Sequence, residues 1–531
     1  MDEYERTVAY HQRTKHHPHQ FARSLGFLDW ESQPDPFLHY DGAEVIALDR
    51  GPFETGVPFD ALDRAEGRSV ATLDRRSLSD LLFHSLAVSA WKEFEESRWS
   101  LRVNPSSGNL HPTEAYVVVG PVEGVTTTPG VFHYRADRHE LERRRQIDGA
   151  AWGAVLESWP DGTFFVGLSS IPWREAWKYG ERAFRYVQHD VGHAMASIAV
   201  AARVLGWDAR SRLQLTDDEL GALLRTETSS GPEREHADLL LAIGPAGKSE
   251  DLDPAPIALS FVGDDTGVRR PLSGDHQEWP VIDDVAAATG KGAEMPARAP
   301  IMSGPAPSSI DGAIDARALV RGRRSAVDMD GETAIDVTAF ARIVARARPT
   351  SGTTPWATLP WRPAIHAFFF VHRVDGLAPG LYLLPRDPDA IPALRAACHE
   401  RFAWTEVAEV DGLLRLEEKD LRGATQNAAC GQTIAGDGCF AVAMVGEFAP
   451  RLAEEGAWFY RALHWEAGAL GQVLYLEAEA AGIRATGIGC FFDDNTHAEL
   501  GLRGTDWQTI YWFTVGGPVE DTRLVTRPAY D

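Results

Sequence analysis

The stretch RVNPSSGNLHPTE, Arg102 to Glu114, collects Pro, Ser, Gly and Asn just ahead of the apolar run AYVVVG. Ser106 and Ser107 are short hydrogen-bond donors, and Asn109 offers an amide with both a donor and an acceptor edge. Gly108 permits a positive φ or close backbone approach, and Pro105 and Pro112 stiffen the segment. Such a loop suits a planar heteroaromatic ring with alternating N–H and C=O groups. A phosphate cradle calls for more glycines, or a lysine leading into a helix. A plain turn at the entry to a strand is the other reading of the same residues.

Other reactive side chains carry less. His11, His16, His17 and His19 cluster near the N-terminus beside Pro18, without a carboxylate or cysteine at matched spacing, and the reading assigns them no metal. His84, His111, His189 and His193 are expected as hydrogen-bonded core or pocket residues, with His111 the one placed to line a pocket. The 4 cysteines, Cys398, Cys430, Cys439 and Cys490, form no CxxC pair, so neither a disulfide framework nor a structural zinc site is expected. Cys430, Cys439 and Cys490 read as small apolar core residues.

The elements that position these residues repeat. Shifted by 276 positions, residues 180–218 fall on 456–494 with eight identities in 39: Gly180/Gly456, Arg185/Arg461, Gly192/Gly468, Ala202/Ala478, Gly206/Gly482, Ala209/Ala485, Asp217/Asp493 and Asp218/Asp494. Both segments carry small and apolar residues at helical spacing and stop at a glycine, predicting a buried central helix in each half. Upstream, EAYVVVG parallels HAFFFVH and GVFHY parallels GLYLL; downstream, LLLAIGPAG parallels IYWFTVGGPVE, all readable as strands. The Ala-, Pro-, Gly- and Ser-rich stretch 286–312 has linker composition. The expected organisation is a first domain over 1–260, a linker over 261–312 and a second domain over 313–531. The fold expected is α+β, a duplicated unit docked as an intramolecular pseudo-dimer.

With 531 residues, the chain is long enough for two such domains. A net charge of −25 argues against nucleic-acid or anionic-membrane partners, which demand a basic face. No apolar run reaches the length of a membrane span, and the N-terminus lacks an apolar signal core, so the chain reads as cytoplasmic. No GxGxxG follows a strand, so no separate dinucleotide domain is expected.

RVNPSSGNLHPTEAY resembles the P-S-S-x-N flavin loop of the FMN-dependent nitroreductase superfamily, and more narrowly of its SagB/ThcOx-type dehydrogenase branch. TKHHPHQFARSLGFLDWESQPDPF, LLFHSLAVSAWKEF and WKYGERAFRY are similar to that branch as well. The resemblance implies two tandem nitroreductase-like α/β sandwich domains and one composite FMN site. In that family one subunit supplies the P-S-S-x-N loop and the other an Arg-Arg-Ser segment for the phosphate, a late glycine loop near flavin N5, and C-terminal basic residues.

On that pattern the first half supplies Pro105, Ser106, Ser107 and Asn109, and the second supplies Arg323, Arg324, Ser325, Gly487, Ile488, Gly489 and Arg523. Gln432 is placed at the flavin pyrimidine edge. The second half's RPTSGTTP, 348–355, has no asparagine at the matching place. The first half's Arg75–Ser77 lies too close to LLFHS to bind phosphate and reads as a helix N-terminus. Lys178 and Tyr179 match the branch's proton-handling pair. The resemblance implies oxidation of a peptide or small-molecule substrate by hydride transfer to the flavin, with NAD(P)H or O₂ as electron partner. A nitro, quinone or enone reductase and a non-catalytic flavin-binding scaffold are the alternatives. Further homo-oligomerisation is compatible with the resemblance.

Overall fold

The structure, a computed structural model, describes residues 1–63, 69–246, 259–292, 314–350 and 353–530. The first half is built on an antiparallel sheet of strands β1 (Val45–Ala47), β2 (Thr113–Val119), β3 (Gly130–Arg135), β4 (Glu140–Ile147), β5 (Phe164–Ser170), β6 (Trp207–Arg212), β7 (His236–Pro245) and β8 (Phe261–Val262). Their order is β8-β4-β3-β2-β5-β7-β6, with β1 added on β4. The second half has β9 (Ile365–Val371), β10 (Gly380–Leu384), β11 (Thr405–Glu406), β12 (Leu414–Glu418), β13 (Phe440–Glu447), β14 (Arg484–Ile488) and β15 (Trp507–Gly516). Their order, β11-β12-β10-β9-β13-β15-β14, repeats the topology of the first sheet. The central strands β2, β5, β9 and β15 are buried along their whole length, as expected for strands covered on both faces.

The helices are α1 (Glu3–Arg13), α2 (Trp173–Tyr179), α3 (Ala183–Val204), α4 (Asp217–Leu224), α5 (Ala449–Glu455), α6 (Phe459–Ala480) and α7 (Asp493–Leu500), together with shorter ones named by their residues. The spacing of 276 found in the sequence carries α2 onto α5, α3 onto α6 and α4 onto α7 end for end. The shared residues do structural work across the join. A Cβ on Gly468 would stand 2.2 Å from the His189 carbonyl oxygen, and one on Gly192 would stand 2.3 Å from that of Trp465. Glycine at both positions lets α3 and α6 cross with their backbones in contact.

The repeated Arg and Asp pair across the same interface. Arg185 reaches Asp493 at 2.8 Å, and its counterpart Arg461 reaches Asp217, the counterpart of Asp493, at 2.7 Å. Two arms strengthen the join. Residues of α1 reach into the second half, where the His11 ring contacts Tyr460 and Gln508. The C-terminal strand Val525–Arg527 pairs with Val88–Phe94, a hairpin strand of the first half.

One expectation changes and another holds. Residues 261–292 are not linker: β8 pairs with β4, Val268–Arg269 pairs with Tyr40–Asp41, and the helix Pro280–Ala288 buries Ile282, Val285 and Ala288. Val285 and Ile282 are spaced to put apolar side chains on one helix face, a signal the Ala- and Pro-rich composition masked. Residues 293–312 of the expected linker lie outside the described residues. Arg75–Ser77 begins the helix Arg75–Phe83, with Asp74 as its N-cap.

Candidate functional site

A cavity of about 440 Å³ lies where the halves meet. The first half contributes Asn104–Asn109, His111, Tyr179 at the end of α2, and Tyr186, Asp190 and His193 from α3. The second contributes Arg323–Ser325, Gln432, Tyr475 from α6, Arg484, Thr486–Cys490 and Tyr511. Pro105, Ser106, Ser107, Asn109, Tyr179, Arg323, Arg324, Ser325, Gln432, Gly487, Ile488 and Gly489 are thus brought together. The four segments that carry most of them are separated by tens to hundreds of residues in sequence.

The serine–asparagine loop is a tight 3₁₀ turn with Gly108 at φ 58°, followed by Asn109 at 60° and His111 at 52°. Ser107 donates through its backbone N–H and its hydroxyl to Asp190 Oδ1, at 3.1 and 3.2 Å. The His111 N–H donates to Ser106 Oγ at 2.8 Å. Asn109 donates to the Ser100 carbonyl at 2.8 Å, and its amide oxygen faces His111 Nε2 at 3.0 Å. With its backbone left-handed, the Asn109 side chain folds onto the strand Ser97–Arg102 and holds the loop.

The opposite wall is cationic. Arg323 is buried and donates to the carbonyls of Val103 and Arg102, at 3.1 and 3.2 Å. Arg324 donates to the carbonyls of Arg321 and Arg323, at 2.9 and 2.7 Å. Among the described residues neither guanidinium has a carboxylate partner. Burial and the neighbouring charge of Arg323 bring Arg324 down to about 10. Glu479 stands near both and accepts from the Arg324 backbone N–H at 2.8 Å, but it pairs with neither guanidinium, so the two cations fit an anionic group. Arg484, which lies beside them, is paired with Glu520 at 2.6 Å.

Glycines let the tyrosines close the cavity. A Cβ on Gly487 would stand 2.2 Å from Tyr511 Oη, one on Gly489 2.6 Å from the Tyr186 ring, and one on Gly108 2.5 Å from Tyr179 Oη. The Gly487 N–H donates to Tyr475 Oη at 3.2 Å. Gln432 donates to the carbonyls of Ala429 and Cys490, at 2.9 and 3.1 Å.

Asp190 is the residue that the sequence reading missed. It is buried on α3, its Oδ2 has no partner, and burial pushes its carboxyl up to about 7 despite the bonds from Ser107. Glu175 on α2 is buried with both oxygens unpartnered, and burial, then the charge of Asp190, raise it well above the carboxylate range. An acid inside a long helix expected to be buried, VQHDVGHAMASIAV, was the available signal. His111 Nδ1 and both nitrogens of His189 are also buried without partners, so His189 departs from the expected hydrogen-bonded state.

The sequence of the second half is that of a known domain. The nitroreductase family model matches residues 380–517, from β10 to the end of β15. MJ1384 of Methanocaldococcus jannaschii, named as a nitroreductase, is 29% identical over 181 residues, covering 32% of this chain and 81% of that one. Residues 380–517 thus carry a nitroreductase-family domain. A crystal structure from Anabaena variabilis, described as that of a nitroreductase, shares the fold over 97% of this chain and 99% of its own, with a TM-score of 0.72 at 23% identity. The trifolitoxin-processing protein TfxB of Rhizobium leguminosarum is 35% identical over 115 residues, which cover 20% of this chain and 30% of that protein. The tandem arrangement is therefore a nitroreductase fold used twice in one chain.

Two expected site residues, Lys178 and Arg523, do not line this cavity. Lys178 points elsewhere because successive helix residues diverge in direction; its Nζ lies 5.2 Å from the Tyr179 ring centroid. Arg523 is 73% exposed and paired with Asp521 at 2.8 Å, because the strand Val525–Arg527 draws that segment across the hairpin. The pseudo-symmetric place is closed. Glu466, 276 positions beyond Asp190, accepts from Trp361 and from the N–H groups of Ala364 and Ile365, and pairs with Arg386. The space around it is about 10 Å³. Ser211, the counterpart of Gly487, donates to the Thr358 carbonyl and so brings that loop onto β6.

Proposed function

We propose that the chain is an FMN-dependent oxidoreductase of the SagB/ThcOx dehydrogenase type, oxidising a peptide or small-molecule substrate at this cavity. The observation that carries the reading is the meeting of the serine–asparagine loop with the unpaired Arg323 and Arg324 across one space. The two guanidinia would hold the phosphate, with Ser325 beside them. The Ser106–Asn109 turn and the Gly487–Gly489 segment would flank the ring, and Tyr186, Tyr475 and Tyr511 would exclude water. FMN held there supplies hydride acceptance and donation at its N5.

The chain's own proton carriers stand on the same wall. Burial holds the Tyr179 hydroxyl well above its ordinary value, so it stays protonated at neutral pH and can donate a hydrogen bond into the cavity. Asp190, raised to about 7, exchanges a proton near neutrality. Lys178 would act through Tyr179 rather than from the wall. The local likeness to a protein named for trifolitoxin processing supports a processed substrate.

A second reading, an NAD(P)H-dependent reductase of nitro, quinone or enone compounds, is favoured by the name of the Methanocaldococcus relative. The visible spectrum of the purified chain and a steady-state NADPH assay with a nitroaromatic acceptor separate the two. Bound, photoreducible flavin without NADPH consumption supports the dehydrogenase. Sustained NADPH oxidation supports the reductase. A colourless protein that takes up no added FMN overturns both.

A further inference from the structure

Cys430 and Cys490 lie 60 positions apart in sequence, and their sulfurs are 2.9 Å apart in the fold. The sequence showed no paired spacing, yet the turn at Cys430, φ 56°, delivers one thiol against the loop that follows β14. Cys490 lines the cavity directly after Gly489, and both thiols are only partly buried. Gln432 ties the same two segments through its bond to the Cys490 carbonyl at 3.1 Å. Cys398 and Cys439 differ: they are buried, and burial pushes their thiols up to about 12 and about 11.

We propose that Cys430 and Cys490 are a peroxide-oxidised dithiol whose disulfide ties the two segments of the cavity wall together. In the first step one thiolate of the pair attacks the O–O bond of hydrogen peroxide, giving a sulfenic acid and hydroxide, which takes up the proton released by that thiol. The second thiol then attacks the sulfenic sulfur, the S–S bond forms, and its proton leaves with the hydroxyl as water. The balance is two thiols and one peroxide to one disulfide and two waters, the sulfurs losing two electrons. A dithiol reductant reverses it by exchange. The chemistry belongs to the chain's own sulfurs and does not depend on FMN being bound.

The test uses the full chain, exposed to one equivalent of hydrogen peroxide, denatured and alkylated, then mapped by peptide mass. The expected result is a fall from 4 alkylated cysteines to two. Peptides carrying Cys430 and Cys490 should be linked with the loss of two hydrogens, and dithiothreitol should restore them. Cys430→Ser and Cys490→Ser should each block the link; at least one of the two should leave a sulfenic acid on the remaining cysteine, trapped by dimedone. Four alkylated cysteines after peroxide, or a link involving Cys398 or Cys439, would overturn the proposal. So would the absence of any dimedone adduct in both folded single variants.

Discussion

Arg323 and Arg324 stand on the cavity wall with no carboxylate paired to either guanidinium among the described residues, and that makes them the most exposed part of the account to mutation. A charge-assisted hydrogen bond contributes about 1.5–3 kcal/mol. Arg323→Ala or Arg324→Ala should therefore weaken FMN binding roughly 10- to 100-fold, read by fluorescence titration, while Arg523→Ala should change it little. Asp190 makes a different prediction. Its carboxyl is raised to about 7, so it carries a proton below that pH and is charged above it. If it exchanges the reaction's proton, the turnover profile should bend near pH 7, and Asp190→Asn should remove the bend while flavin stays bound. An unchanged profile in the variant would leave Asp190 a structural acid that merely anchors Ser107.

At the scale of elements, the join between halves rests on α3 crossing α6 and on two related ion pairs. Asp493 is fully buried between Arg182, at 3.0 Å, and Arg185, at 2.8 Å, whereas the Asp217 side chain is 24% exposed. Burial alone would raise the Asp493 carboxyl, but Arg182 and Arg185 outweigh it and hold it well below the usual range. Because the folded value is depressed, the stabilisation is present above the unfolded value of about 4 and is lost as pH falls below it. Asp493→Asn should cost about 3–5 kcal/mol by leaving two buried guanidinia short of charge. Asp217→Asn should cost less, since the Asp217 side chain, which also pairs with Lys291, is partly open to water. Thermal unfolding of the two variants measures the difference, and equal losses would contradict the asymmetry.

The whole molecule is one chain of two related halves that share the nitroreductase fold, with a cavity of about 440 Å³ lined by both. Much of this was readable in the sequence, because Gly192/Gly468, Arg185/Arg461 and Asp217/Asp493 recur for reasons of close approach and charge across the join. The loop at Ser106–Asn109 and the pair Arg323–Arg324 were readable through the family resemblance, since Pro, Ser, Gly and Asn make plain turns equally well. What was not readable depends on direction rather than type: Asn109 turning inward, Lys178 facing away from the wall, and Cys430 meeting Cys490. The helix Pro280–Ala288 was hidden by a composition that suits linkers equally well. The duplication poses the central question, since a fold used twice offers two related places, and only one has room. The contrast between Asp190, with a free oxygen on a 440 Å³ cavity, and Glu466, saturated by its neighbours beside about 10 Å³, argues for one site. Flavin released from a known amount of denatured chain, quantified against FMN standards after reconstitution, tests this directly. The account predicts one FMN per chain, reduced strongly in Arg323→Ala; two per chain, or none after reconstitution, would contradict it.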